Sequence, residues 1–323
     1  MTLPATIEVH SDRQAWLAAK ASGIGSSEAP VIMGYGYEES AVELWLRKTG
    51  KAPPKEASRR MRVGKALEAE IHLEAEEDLG TTLVNPGEFT ILRSVAEPWR
   101  LATIDRFVTD PEKLLRAERR YDSAAKALGY LLRIGAILGP AELKSVALYA
   151  ADEWETEPPD YPLLQVQHQL AVSGLGRGWV CALFGLSDDF RIYEVPAHER
   201  LQAMLHEYET AFWDCVQRDV PPAPDGSASA SKALSQIYQH ERATEIVLPA
   251  EYNELHTELK ALKADAAANE DRRKHIENTL KAAMGESVRA RILGGGRYQW
   301  KSKTVREHIV HEHTYREFRE IKE

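Results

Sequence analysis

Two stretches decide how this chain is read: Leu101–Val108, LATIDRFV, and Ala141–Val146, AELKSV. Each reads as a short strand. Side chains two apart on a strand share a face. Glu142 and Lys144 are therefore expected to point the same way, and Asp105 is expected to share a face with Thr103 and Phe107. A Glu-x-Lys pair on a mostly apolar strand is costly unless it holds something. Two carboxylates suit a hard divalent cation, and a lysine beside them suits a water or phosphate at that cation. The chemistry this predicts is metal-dependent phosphodiester hydrolysis.

With 323 residues, 43% of them hydrophobic, the chain can build one large core or two domains. No apolar run approaches the ~18 residues of a membrane span. The N-terminal MTLPATIEVHSDRQ lacks the basic-then-apolar pattern of a secretory signal. Cys181 and Cys215 form no CxxC and are too few for a disulfide framework. A reducing cytoplasm is the expectation. The net charge of −9, from 41 basic and 50 acidic residues, is unusual for a nucleic-acid binder. The basic residues are clustered, however, in 59–65, 116–120, 272–274 and 301–303. An acidic protein can grip DNA through a local basic groove.

Upstream of the two strands, Ser11-Asp12-Arg13-Gln14 fits a capping box opening a helix. Gly23-Ile24-Gly25-Ser26-Ser27-Glu28 reads as a glycine-flexed loop entering another helix. Ser27 there is either a simple N-cap or part of a phosphate site. Ser40 is expected to cap a helix that ends at Thr49-Gly50. A helix over about 61–79 follows, stopping at Gly80. Glu68, Ile71, His72, Ala75 and Leu79 fall on one of its faces. Glu68 is thus an inward carboxylate, either paired with an arginine or serving as a ligand. His72 reads more readily as a packed histidine than as a ligand.

Between the two deciding strands, about 110–140 forms an insertion containing a helix: a lid, a DNA contact or a packing element. Beyond them, a helix is predicted over 161–173 (YPLLQVQHQLAVS), with Leu163, Val166 and Leu170 as its apolar stripe. Its glutamines would ordinarily be solvated. A hairpin over 179–195 and a long helix over 197–219 follow. Val220-Pro221-Pro222-Ala223-Pro224-Asp225-Gly226 reads as a linker. The division predicted is a domain over 1–220, a linker over 221–231 and a C-terminal region over 232–323. The last should hold a helical stretch over 249–284, with leucines at loosely heptad spacing for internal packing or oligomerisation, then a hairpin and a charged tail.

The order is then an acid on a helix (Glu68), Asp105 on a strand, Glu142 and Lys144 on the next strand, and Gln165 on a helix. Each piece alone is weak; four in this order are specific. Together with GIGSSEAPVIMG, ELWLRKTGK, MRVGKALEAE, ATIDRFV, AELKSV and PLLQVQHQLAVSG, they resemble the PD-(D/E)xK nuclease superfamily. Within it the chain is similar to the YqaJ-type viral recombinases, which include lambda exonuclease. The similarity covers about residues 11–220.

That resemblance implies an α/β (α+β) fold with a restriction-endonuclease-like core. A mixed central sheet would be flanked by helices, with a helical and hairpin extension at the C-terminus. It implies Mg²⁺ (or Mn²⁺) held by Asp105, Glu142 and the Leu143 carbonyl. Glu68 would serve a second metal or its water, Lys144 the attacking water, and Gln165 that water or the scissile phosphate. Ser27 and Lys20 would take a 5′-phosphate.

The function implied is a 5′→3′ exonuclease on double-stranded ends, making single-stranded tails for phage-type recombination in a bacterial cytoplasm. A trimeric ring and a single-strand-annealing partner come with it. An endonuclease on the same core, or a non-catalytic DNA-end-binding protein, are the alternatives. Three departures from the family pattern stand out: Arg106 follows the aspartate where glycine is usual, the Asp105-to-Glu142 connection is long, and Tyr161 is displaced by one position, with Pro162 three before the glutamine.

Overall fold

Helix boundaries in this computed structural model follow local capping chemistry. The structure describes residues 3–53, 56–115, 123–240 and 244–304. The basic cluster 116–120 and the tail from 306 lie outside the described residues.

β1 (Ala5–Val9) leads into α1 (Arg13–Ala21). The cap of α1 is Asp12, which accepts from the Ala15 N–H; Ser11, the expected cap, instead donates to Asp12. The carboxylate is the stronger acceptor for the helix's unpaired donors. α2 is a single turn (Ala29–Ile32), and its N-cap is Glu28, without a side-chain cap bond. Ser27 is therefore not the cap. α3 (Ala41–Lys48) is capped by Ser40, as expected. α4 (Arg59–Leu79) is capped by Ser58 and stops at left-handed Gly80.

β2 (Leu83–Val84), β3 (Thr90–Ser94), β4 (Leu101–Ala102) and β5 (Arg106–Thr109) follow. Next come α5 (Pro111–Leu115), α6 (Ala124–Arg133) and β6 (Ile137–Val146). A 3₁₀ turn over Leu148–Trp154 precedes α7 (Asp160–Ser173), β7 (Arg177–Phe184), β8 (Phe190–Pro196) and α8 (Glu199–Gln217).

The central sheet is mixed, in the order β2-β5-β6-β7-β8. β6 and β7 run parallel, while β5–β6 and β7–β8 are antiparallel. Alternation sorts its two faces. Ala141, Leu143, Trp179 and Cys181 pack on Ile71 and Ala75 of α4. Val146, Val180, Ala182 and Phe184 pack on Val166 and Leu170 of α7. A second sheet, β1-β3-β4, lies in the same unit.

The predicted single strand Leu101–Val108 is broken. β4 belongs to the three-stranded sheet and β5 to the central one. Thr103, Ile104 and Asp105 carry the chain from one sheet to the other. Asp105 therefore sits in a break rather than on a strand face shared with Thr103 and Phe107. Long-range pairing decides this: Leu92 with Ala102 on one side, Phe107 with Pro140 on the other.

The described part of the insertion is a packing element. Leu128 of α6 is buried with Ala5, Leu92, Phe107 and Val172. The Pro-rich stretch expected to be a linker over 221–231 runs into α9 (Ala228–Ile237). Ser229 Oγ receives the Ser40 N–H at 2.9 Å and donates to Glu43, and Ala230 and Ala233 are buried. Small residues let α9 approach α3 closely. The chain accordingly divides into two compact units, Met1–Gln239 and His240–Glu323. The second unit holds α10 (Tyr252–Met284) and the hairpin β9 (Arg289–Arg291) and β10 (Arg297–Gln299). Leu255, Leu259, Leu262 and Ile276 of α10 are exposed. Among the described residues, no helix is long and apolar enough to cross a membrane.

Candidate active site

Because α7 is packed between the central sheet and the helices α2 and α8, it is buried on nearly all sides. Its glutamines are consequently not solvated. Gln165, Gln167 and Gln169 are all buried, contrary to the ordinary expectation for glutamine on a helix. A buried amide must find partners. Two of these find the acid on β6.

Glu142 and Lys144 lie on the α7 face of β6, as the two-residue spacing predicts. Glu142 is buried. Its Oε1 accepts from Lys144 Nζ at 2.7 Å and from Gln165 Nε2 at 2.6 Å. Its Oε2 accepts from Gln169 Nε2 at 2.7 Å. Lys144 Nζ also donates to Gln165 Oε1 at 2.9 Å, closing a three-membered ring of hydrogen bonds. Burial disfavours the Lys144 charge, but Glu142 and then Asp105 outweigh it and raise its pKa. The lysine is therefore held as a cation. Its ammonium also lies 5.9 Å from the centre of the Tyr161 ring, within cation–π range.

Asp105 faces the start of this pair from the break between sheets. Its Oδ2 accepts the Leu143 N–H at 3.0 Å. Burial, then the Glu142 charge, push the Asp105 carboxyl up to about 7; Lys144 and the Leu143 N–H act the other way, and Glu68 adds to the rise. The site thus holds more negative charge than its one lysine neutralises. That excess, on two carboxylates, fits a hard divalent cation.

Glu68 is brought within electrostatic reach of Asp105 but not into contact with it. Its carboxylate instead takes Lys65 at 2.8 Å, an exposed lysine three residues earlier. Among the described residues, no three of His, Cys, Asp and Glu converge into a ready metal cluster. His72 pairs with Glu76 at 3.7 Å and is not joined to the acids. Burial lowers its pKa, and Arg106, on the α4 side of β5, lowers it further.

The glycine loop lies beside β4. Ile24 donates to the Trp99 carbonyl at 2.6 Å, and Leu101 donates back to Ile24 at 2.8 Å. Gly23 is required at this crossing, since a Cβ there would lie 2.3 Å from the Trp99 oxygen. Glu28, buried, accepts the Gly25 N–H at 2.8 Å and pairs with Lys48 at 2.7 Å. Burial opposes its charge, but Lys48 and Lys20 hold its carboxyl below the usual range. Ser27 is half-buried, and its carbonyl accepts from Tyr161 Oη at 2.9 Å. Lys20 lies over the Trp16 ring at 4.6 Å. Burial lowers the Lys20 pKa, while the Glu28 and Asp105 charges raise it. The loop residues and the acids therefore share one field, linked through Tyr161 and Lys20.

Two buried groups escaped the sequence reading. Glu28 looked like a helix-start acid. Glu209 on α8, fully buried, accepts from Arg100 Nε at 2.8 Å and meets His168 Nδ1 at 2.6 Å. His168 Nε2 meets the Leu101 carbonyl at 2.7 Å. This network ties α7 and α8 to β4. Its only local signal was a histidine among the glutamines of α7.

A family model described as the YqaJ-like viral recombinase domain matches residues 15–176, a span running from α1 through α7 that includes Lys20, Ser27, Glu68, Asp105, Glu142, Lys144 and Gln165. The chain is 29% identical over 297 residues to the uncharacterized protein YqaJ of Bacillus subtilis (strain 168), covering 90% of this chain and 83% of that one. An alkaline exonuclease (LHK-Exo) from Laribacter hongkongensis gives a TM-score of 0.47 at 16% identity, over 64% of this chain and 93% of that one. Its complex with dAMP gives 0.48. A phage-related exonuclease from Haemophilus somnus 129PT gives 0.40 at 11% identity, over 61% and 94%.

Proposed function

The chain belongs to the YqaJ-like viral recombinase domain family, a family of exonucleases that act on DNA, and we propose that it is a metal-dependent 5′→3′ exonuclease on double-stranded ends. The observation that carries this is Glu142, buried yet ringed by Lys144, Gln165 and Gln169, with Asp105 beside it, its carboxyl pushed up to about 7 by burial and the Glu142 charge. Strongly perturbed carboxyls cluster at functional sites, and a surplus carboxylate beside a lysine suits a hard cation.

Asp105 and Glu142, with the Leu143 carbonyl, would hold Mg²⁺ or Mn²⁺. Glu68 would serve a second ion or its water on leaving Lys65, an exchange that an exposed partner makes easy. The bound cation would supply stabilisation of the charge on attacking and leaving oxygens. Lys144 orients the attacking water as a fixed cation donor. Gln165 has both amide atoms committed, to Glu142 and Lys144, and so positions that lysine. Lys20, in the last turn of α1, and Ser27, on a loop that Tyr161 ties to the catalytic helix, receive the 5′-phosphate. The product would be a single-stranded tail for phage-type recombination in a bacterial cytoplasm. An annealing protein and further copies of the chain, a trimer by family resemblance, are the expected partners.

The test is digestion of end-labelled linear and closed circular duplexes, with Mg²⁺ or with EDTA. Linear DNA should be degraded from its 5′ ends in Mg²⁺ only, and the closed circle should survive. Cutting of the circle would favour an endonuclease on the same core. Undiminished digestion by Asp105→Ala would sink the reading. Binding without any cleavage would favour an end-binding protein.

A further inference from the structure

Gln169 lies one helical turn beyond Gln165 on α7 and is fully buried. Its Nε2 donates to Glu142 Oε2 at 2.7 Å and to the Thr103 carbonyl at 3.2 Å. Both partners can only accept, so the amide orientation follows from the chemistry. Its Oε1 is buried without a hydrogen-bond partner among the described residues. Gln165 holds the other oxygen of the same carboxylate. Two amides one turn apart thus grip Glu142, one on each oxygen.

We propose that Gln169 is a positioning residue for the metal-binding acids. It fixes the plane of the Glu142 carboxylate, which the bonds from Lys144 and Gln165 to Oε1 alone would leave free to rotate. Through the Thr103 carbonyl it also holds the break that carries Asp105, two residues on. One side chain therefore bears on both acids, Glu142 on β6 and Asp105 in the break between the sheets, and adds to the Leu143 N–H bond that already ties Asp105 to β6. The inference rests on the nuclease reading of the site and adds a residue to it. Its physical basis is that ligands must be held by their neighbours to present a fixed geometry.

Gln167 is the internal control. It sits on the same helix and is buried, but bonds the Pro196 carbonyl, the His198 N–H and Gln202, away from the acids. The experiment is calorimetric titration of Mn²⁺ alone into the metal-free full-length protein, with cleavage kinetics alongside. Wild type, Gln169→Met, Gln169→Asn and Gln167→Met are compared. Methionine keeps the length without the amide; asparagine keeps the amide without the reach.

Both Gln169 variants should bind Mn²⁺ tenfold or more weakly. Where they cleave DNA, kcat should fall while KM for DNA stays within twofold. Gln167→Met should bind Mn²⁺ within twofold of wild type. Wild-type Mn²⁺ affinity in a folded Gln169 variant, or an equal loss in Gln167→Met, would overturn the proposal. Should Gln169→Met fail to fold, the asparagine variant decides alone. A wild type that binds no Mn²⁺ and cuts no DNA would bring down the nuclease reading, and this inference with it. A wild type that does both while the Gln169 variants bind normally would bring down this inference only.

Discussion

An Asp105→Asn protein, freed of metal, should lack a pH dependence that the wild type carries. The Asp105 carboxyl titrates near 3.8 in an ordinary setting and at about 7 in this site. A carboxyl raised on folding binds its proton more tightly in the native state than in the unfolded chain. The stabilisation is complete below the ordinary value and is lost as pH climbs through about 7. Between pH 5 and pH 7, a difference of this kind is worth ~3 kcal/mol at 1.4 kcal/mol per pH unit. Relaxation and water entry in a half-buried site reduce it to about 2 kcal/mol, roughly 4–8 °C in Tm for a unit of this size. Asparagine cannot ionise, yet its oxygen can keep the Leu143 N–H bond. The assay is thermal melting of both proteins in EDTA at pH 5 and pH 8. The variant should gain on the wild type by about that amount at the higher pH. Mg²⁺ at pH 8 should raise the Tm of the wild type and leave that of the variant where it was. A wild-type-to-variant gap that is identical at both pH values would refute the charge argument.

Glu209→Gln should cost about 3–5 kcal/mol by urea denaturation, because it strips the counter-charge from buried Arg100 and the carboxylate partner from His168 Nδ1. Arg218→Ala, which breaks only an exposed pair with Asp214, should cost no more than ~1 kcal/mol in the same titration. Leu128→Ala should cost about 2–5 kcal/mol if α6 is core packing as its burial indicates, and next to nothing if α6 is a lid. Dephosphorylating the 5′ end should slow wild-type digestion more than it slows Ser27→Ala; equal slowing would argue against a phosphate pocket at that loop. Tyr161→Phe should remove about 1 kcal/mol of loop anchoring, read as faster amide exchange over residues 25–28.

What could be read along the chain was whatever depends on neighbours in sequence. The two-residue spacing of Glu142 and Lys144 placed both on one face of β6, and the structure has them there. The helical spacing of Glu68, Ile71 and Ala75 named the buried side of α4. Serine at 40 and glycine at 80 marked helix ends, because capping is a contact across a few residues. The order of acid, aspartate, Glu-x-Lys and glutamine was enough to place the chain in its family.

Tertiary structure decided whatever depends on partners far along the chain. Asp105 lies in a break because Leu101–Ala102 pair with one sheet and Arg106–Thr109 with another; no pattern within eight residues encodes two different pairing partners. Gln165 and Gln169 are buried because β6 and the break after β4 lie against the side of α7 that local polarity would leave in water. Glu28 and Glu209 are charged core residues only because Lys48, Arg100 and His168 arrive from elsewhere to pair with them. Hydrophobic period and capping are local and survive in sequence. The desolvation that turns a carboxylate pair into a charged site is a property of the assembled neighbourhood. It was that burial, rather than the Glu-x-Lys spacing, that made Asp105 and Glu142 an overcharged pair.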